Sequence, residues 1–134
     1  MVRLGLILGL VASGSPRLWG NVTITSPTGG NNISADKALN STNGAAFTAL
    51  GNIVIAEGVA SDFGAGAGQT LILSVPPGWQ LNPGVGTVSF TSGRNITAAT
   101  IAVTSSNATV TLTVNGTNAL DTLTIGGLQV QALP

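Results

Sequence analysis

The sequence predicts an all-β fold, an antiparallel β-sandwich of immunoglobulin-like or jelly-roll-like type with about seven to nine strands. Two observations carry that expectation. From Asn52 onward, apolar residues recur at every second position in short runs, which is the period of a strand with one buried face. Between the runs stand clusters of Gly, Pro, Asn and Ser, which suit turns and interrupt helices. At 134 residues the chain has the length of one domain, enough to enclose a core.

Residues 1–20 read as a signal peptide or N-terminal apolar segment. Met1-Val2-Arg3 is a short basic start, Leu4 to Ala12 an apolar run, and Ser13, Gly14 and Ser15 are small residues of the kind found at cleavage sites. A membrane-crossing helix needs about 20 apolar residues, more than this run or any later one supplies, so no membrane span is expected in the mature protein. This start places the protein outside the cell, secreted or at the cell surface.

Residues 21–134 form the sandwich domain, of which 21–50 is a polar N-terminal part. Val22–Thr25 reads as a short strand, Ser26-Pro27-Thr28-Gly29-Gly30 and Asn40-Ser41-Thr42-Asn43-Gly44 as turns, and Asp36–Leu39 as a brief helical turn. Ile53-Val54-Ile55 and Leu71-Ile72-Leu73 are apolar throughout, so these strands are expected to be covered on both faces. Pro76-Pro77-Gly78 ends the second of them. Val88 with Phe90, Ile101 with Val103, and Leu123 with Ile125 each mark a half-buried strand. In Thr109-Val110-Thr111-Leu112-Thr113-Val114 the threonines form a wet face and the aliphatic residues a dry one. Asn115-Gly116 is a hairpin signal, which predicts that this strand pairs with Thr122–Ile125. Gly126-Gly127 shifts the apolar phase from odd to even positions, and a bulge there would turn Leu128 and Val130 inward. Trp79, Phe63 and Phe90 are expected in the core.

The composition excludes most chemistry. The chain has no His, Cys or Tyr, and only four basic and four acidic residues. General acid–base catalysis, nucleophilic catalysis and metal ligation draw on the residues that are missing, so no enzyme, cofactor or catalytic site is expected. A catalytic centre would need Glu57, Asp62 or Asp121 to converge in one cleft. Glu57 and Asp62 are too few, and lack the Asp-x-Asp spacing, for a convincing calcium site, and read as solvated loop residues. Gly64-Ala65-Gly66-Ala67-Gly68 opens onto a strand and lacks a following Lys-Ser/Thr, so it is a turn and not a phosphate-binding loop. The basic residues Arg3, Arg17, Lys37 and Arg94 are scattered, which leaves no stripe for nucleic acid. With no Cys, stability must come from packing and the hydrogen-bonded ladder.

Six asparagines, Asn21, Asn32, Asn40, Asn95, Asn107 and Asn115, stand in Asn-x-Ser/Thr sequons. About two would arise by chance at this Ser/Thr content. They are candidate N-glycosylation sites on an exported surface, against a compositional origin in Thr-rich turns and strands.

The stretch Ile53-Val54-Ile55-Ala56-Glu57-Gly58-Val59-Ala60-Ser61-Asp62-Phe63, then Gly68 to Trp79, and later Asp121-Thr122-Leu123-Thr124-Ile125-Gly126-Gly127-Leu128-Gln129-Val130, resembles the all-β modules repeated in large secreted bacterial surface and adhesin-type proteins. The resemblance covers residues 52–131, and Ser61 stands where that pattern has Gly. It implies a structural or adhesive sandwich module with no catalytic residues.

After Lys37 the only charges are Glu57, Asp62, Arg94 and Asp121, so the strands carry almost none of the charge that usually protects sheet edges. This points to a structural subunit of an extracellular filament, pilus-like fibre or surface layer. Such subunits would assemble into a homopolymer by β-strand donation, with Val22, Thr23, Ile24 and Thr25, or the leader segment Leu4–Val11, as the donated strand. The alternative is a monomeric secreted adhesin or carbohydrate-binding module whose partners are cell-surface components or glycans. Trp19 and Phe47, left over from the expected core, are too few for a sugar-stacking platform.

Overall fold

The computed structural model describes residues 21–30, 33 and 46–133. The apolar leader, Trp19, the Asp36–Leu39 turn, the Asn40–Gly44 cluster and the sequons at Asn32 and Asn40 lie outside the described residues. Those that are described form ten strands and no helix: β1 (Val22–Thr25), β2 (Thr48–Ala49), β3 (Ile53–Glu57), β4 (Gly66–Ser74), β5 (Trp79–Leu81), β6 (Thr87–Phe90), β7 (Ile96–Val103), β8 (Asn107–Val114), β9 (Thr122–Gly126) and β10 (Gln129–Ala132).

All pairings are antiparallel and give three sheets, ordered β1-β3-β9-β6, β2-β10-β5 and β4-β8-β7, in a sandwich-like arrangement that does not close into a barrel. The alternation in β8 is the clearest link from sequence to packing. Ala108, Val110, Leu112 and Val114 are buried, while Thr111 on the opposite face is exposed. Ile53 and Ile55, Leu71 and Leu73, and Leu123 and Ile125 supply the other sides of one shared core. At about 25 cal/mol per Å² of apolar surface, this aliphatic interior is the main driving force for folding.

The first two sheets are linked by chain continuity. β9 runs into β10 through Gly126-Gly127, where Gly127 takes a φ of 67° that an L side chain rarely adopts. The ladder breaks there, yet Leu50 N–H donates to Leu128 O (2.8 Å) and Asn82 N–H to Gln129 O (3.0 Å), which carries the pairing across the break. Leu128 and Val130 are buried beyond it. The glycine pair thus restores the inward phase as expected, and it does so by handing the chain from one sheet to the next. Leu81 N–H to Ser105 O and Gly84 N–H to Val103 O, both 2.9 Å, join the β5 segment to the end of β7.

Three expectations are corrected. The Asn115-Gly116 signal does not make a hairpin, because β8 pairs with β4 and β7 whereas β9 pairs with β3 and β6 in another sheet. Backbone pairing across the sandwich outweighs the local turn. The apolar runs of β3 and β4 have one buried face, with Val54 and Ile72 only half-buried on the other. Trp79, Phe63 and Phe90 pack half-buried against the margin of the core. Two sheets about 10 Å apart are filled by branched aliphatic side chains, and the aromatics sit where the layers end.

Replacing Leu123, which is fully buried, with Ala is expected to cost about 2–5 kcal/mol, measured by urea unfolding. Ser61 holds a φ of 104°, in the region that favours glycine. Ser61→Gly is therefore expected to raise stability by up to about 1 kcal/mol in the same measurement, and an unchanged or lower midpoint would count against strain at this position.

Candidate assembly interface

Two kinds of site arise from these elements, a buried carboxylate network and a set of uncharged sheet edges. The network begins with strand parity. Glu57 follows Ile53 and Ile55 on the buried face of β3, and Asp121 precedes Leu123 and Ile125 on the buried face of β9. Since β3 and β9 are neighbours, both carboxylates arrive at one end of the sandwich, 7 % and 1 % exposed.

Three of their four oxygens accept from backbone donors. Glu57 Oε1 accepts from Phe63 N–H (2.5 Å) and Oε2 from Asp121 N–H (2.7 Å). Asp121 Oδ1 accepts from Ile96 N–H (3.0 Å) at the start of β7, which ties two sheets together. Asn95, also buried, donates through Nδ2 to Ala119 O (2.8 Å) and accepts from Asn115 N–H (2.7 Å) through its main-chain carbonyl. Asp121 Oδ2 is, among the described residues, a buried side-chain oxygen without a hydrogen-bond partner. Glu57 is therefore no solvated loop residue, because its position in the β3 alternation buries it. Asp62 stays nearer the surface, accepting from Gly58 and Val59 N–H through Oδ2 and from Asn21 N–H through Oδ1 (3.0–3.1 Å). Among the described residues no group of three His, Cys, Asp or Glu side chains is placed to hold a metal ion.

The second feature is the edges. β1 and β6, β2 and β5, and β4 and β7 are the outer strands of the three sheets, and none of them contains a charged residue. The candidate donor segment Val22–Thr25 is β1, paired in this chain with β3, with Val22 and Ile24 packed against the core. Glu57 N–H donates to Asp121 O, so in β3 the odd residues bond towards β9 and the even ones towards β1. By that alternation Thr23 and Thr25 bond to β3, while the backbone N–H and C=O of Val22 and Ile24 face away from the sheet. The outer face of the β4-β8-β7 sheet is polar but uncharged, with Thr70 and Thr100 directly opposite Thr111.

The described sequons differ in access. Asn21 and Asn115 are exposed and Asn107 is half-buried, its Oδ1 accepting from Thr104 Oγ1 (2.9 Å). Asn95 is buried, 5 % exposed, and its side-chain nitrogen donates to Ala119 O.

No family model matches the chain, and neither a curated protein nor a solved structure matches it.

Glu57→Gln places an amide NH₂ against one of two backbone N–H donors and leaves that donor unpaired. The expected loss is about 1–3 kcal/mol, seen as a lower urea midpoint. Wild-type stability in this variant would show that the network does not hold the end of the sandwich.

Proposed function

We propose that this protein is a structural subunit of an extracellular filament, pilus-like fibre or surface layer, assembling by strand addition between copies and carrying no catalytic site. The observation that carries the reading is the uncharged state of all six outer strands among the described residues. An outer strand presents unpaired N–H and C=O groups, and proteins that stay monomeric normally guard such strands with Lys, inward charges or Pro. A formal net charge of zero removes the long-range repulsion that would otherwise keep copies apart.

β1 is the proposed donated strand. It is short, lies at the end of its sheet and pairs with one neighbour, so exchanging it between copies conserves its hydrogen bonds and its apolar contacts. The basic and apolar start at residues 1–12 supports export, and the resemblance over residues 52–131 supports a surface role. The φ of Ser61 is consistent with glycine in the pattern at that position. The alternative of a carbohydrate-binding module draws no support from the described aromatics. Phe47, Phe63, Trp79 and Phe90 are all half-buried, and the exposed large apolar side chains are Val59, Leu120 and Leu133.

Electron microscopy of the secreted protein at micromolar concentration is expected to show regular filaments or sheets of constant width, and a chain lacking Asn21–Thr25 is expected to form none. Dispersed single particles of the wild type would overturn the polymer reading. Filaments unaffected by the deletion would remove β1 as the donated strand.

A further inference from the structure

We propose that the β4 edge is a second, separate self-association site, at which Thr70–Ser74 pairs antiparallel with the same segment of another copy about a two-fold axis. Among the described residues β4 is the longest strand and pairs only with β8. Val75 N–H donates to Ser106 O (3.1 Å), continuing the β4–β8 ladder, so Leu71 and Leu73 share that orientation and bond towards β8. By the alternation of an antiparallel ladder, Thr70, Ile72 and Ser74 direct their backbone N–H and C=O groups to the open side.

The rest of this sheet's outline is blunted. A register shift between Ala67 and Gln69 interrupts the start of β4, and one between Ile96 and Ala98 interrupts the start of β7. The far end of β7 is occupied by Gly84 N–H on Val103 O. What is left is a regular, uncharged five-residue window with the sequence Thr-Leu-Ile-Leu-Ser.

That window is complementary to itself, which is why the occupant is a second copy. Centring the two-fold on Ile72 places Ile72 opposite the second copy's Ile72, Thr70 opposite its Ser74 and Leu71 opposite its Leu73. Each of the outward residues then exchanges both main-chain bonds with its opposite number. The half-buried Ile72 side chains cover one another on the outer face, and the hydroxyls of Thr70 and Ser74 meet across the ladder. On the inner face, Leu71 and Leu73, already buried, continue one core into the next. The contact lies on a different sheet from β1 and does not rest on strand donation.

Because the chain has no cysteine, a single introduced one reports the contact directly. Directly opposed Cα atoms in such a pair lie about 5.5 Å apart, within disulfide reach. The full-length Ile72→Cys protein, oxidised or bridged by a short bismaleimide, is expected to give covalent dimer about tenfold faster than Thr111→Cys, whose site lies on the central strand of the same face. In sedimentation, Ile72→Lys is expected to lose the β4-paired species and run as smaller particles than the wild type, with unchanged circular dichroism, since two like charges would face each other at the axis. Cross-linking of Ile72→Cys no faster than Thr111→Cys, or Ile72→Lys sedimenting like a self-associating wild type, would overturn the proposal. Filaments without the Ile72 cross-link would sink this contact and leave the fibre reading standing. Cross-linked dimers without filaments would do the reverse.

Discussion

One carboxylate organises the end of this sandwich. Glu57 accepts from Phe63 N–H with one oxygen and from Asp121 N–H with the other, and so fixes where β3 ends, how the following loop returns and where β9 begins. Asp121 then reaches Ile96 N–H at the start of β7, in a different sheet. Burying charge costs several kcal/mol per group unless hydrogen bonds replace the lost water. A chain with so few charged residues could have left this end apolar. Backbone donors at the starts of β9 and β7 and in the loop after β3 find acceptors here, which an aliphatic side chain could not supply. Removing one partner is accordingly more damaging than the modest net strength of each bond suggests.

The use of charge inside the fold shapes the outside. Of the four charged residues described, Glu57 and Asp121 are buried and Asp62 is spent on its own loop and on Asn21 N–H, which leaves Arg94 as an exposed cation. The sheet faces depend on Thr, Ser and Asn for their contact with water. Hydroxyls and amides hydrate a surface without repelling a second copy of it, and a strand edge without charge keeps its ladder groups available. The same scarcity of charged residues leaves the outer strands uncharged.

How much of this was legible depends on the range of the interaction. Period-two runs such as Thr109–Val114 announce a strand and its buried face, because alternation is local. The inward turn of Leu128 and Val130 after Gly126-Gly127 follows from the same counting. Pairing is not local. Asn115-Gly116 suggests a hairpin, but β8 and β9 find partners in different sheets, a choice made by the whole core. The burial of Glu57 and Asp121 was present in the pattern, since positions 53, 55 and 57 and positions 121, 123 and 125 share parity. Reading residue type before position obscured it. The backbone groups of β4 that face outward are not visible in the sequence at all, because they depend on which neighbour takes the alternate residues.

Strand number constrains how copies could join. In the three-stranded antiparallel sheet β4-β8-β7 the two outer strands run in the same direction, so a copy brought alongside by translation would meet it in parallel pairing. Antiparallel pairing at β4 requires a two-fold axis, and a two-fold contact closes on itself as a dimer. It cannot propagate a fibre alone. Exchange of β1 is different in kind, because each copy gives one strand and receives one, and the relation between donor and acceptor need not close. Donation by itself would build a filament whose two ends differ. Donation combined with β4 pairing would join two such filaments running in opposite directions and make the ends alike. End-to-end polarity in an assembled filament therefore separates a structure built on β1 alone from one built on both edges.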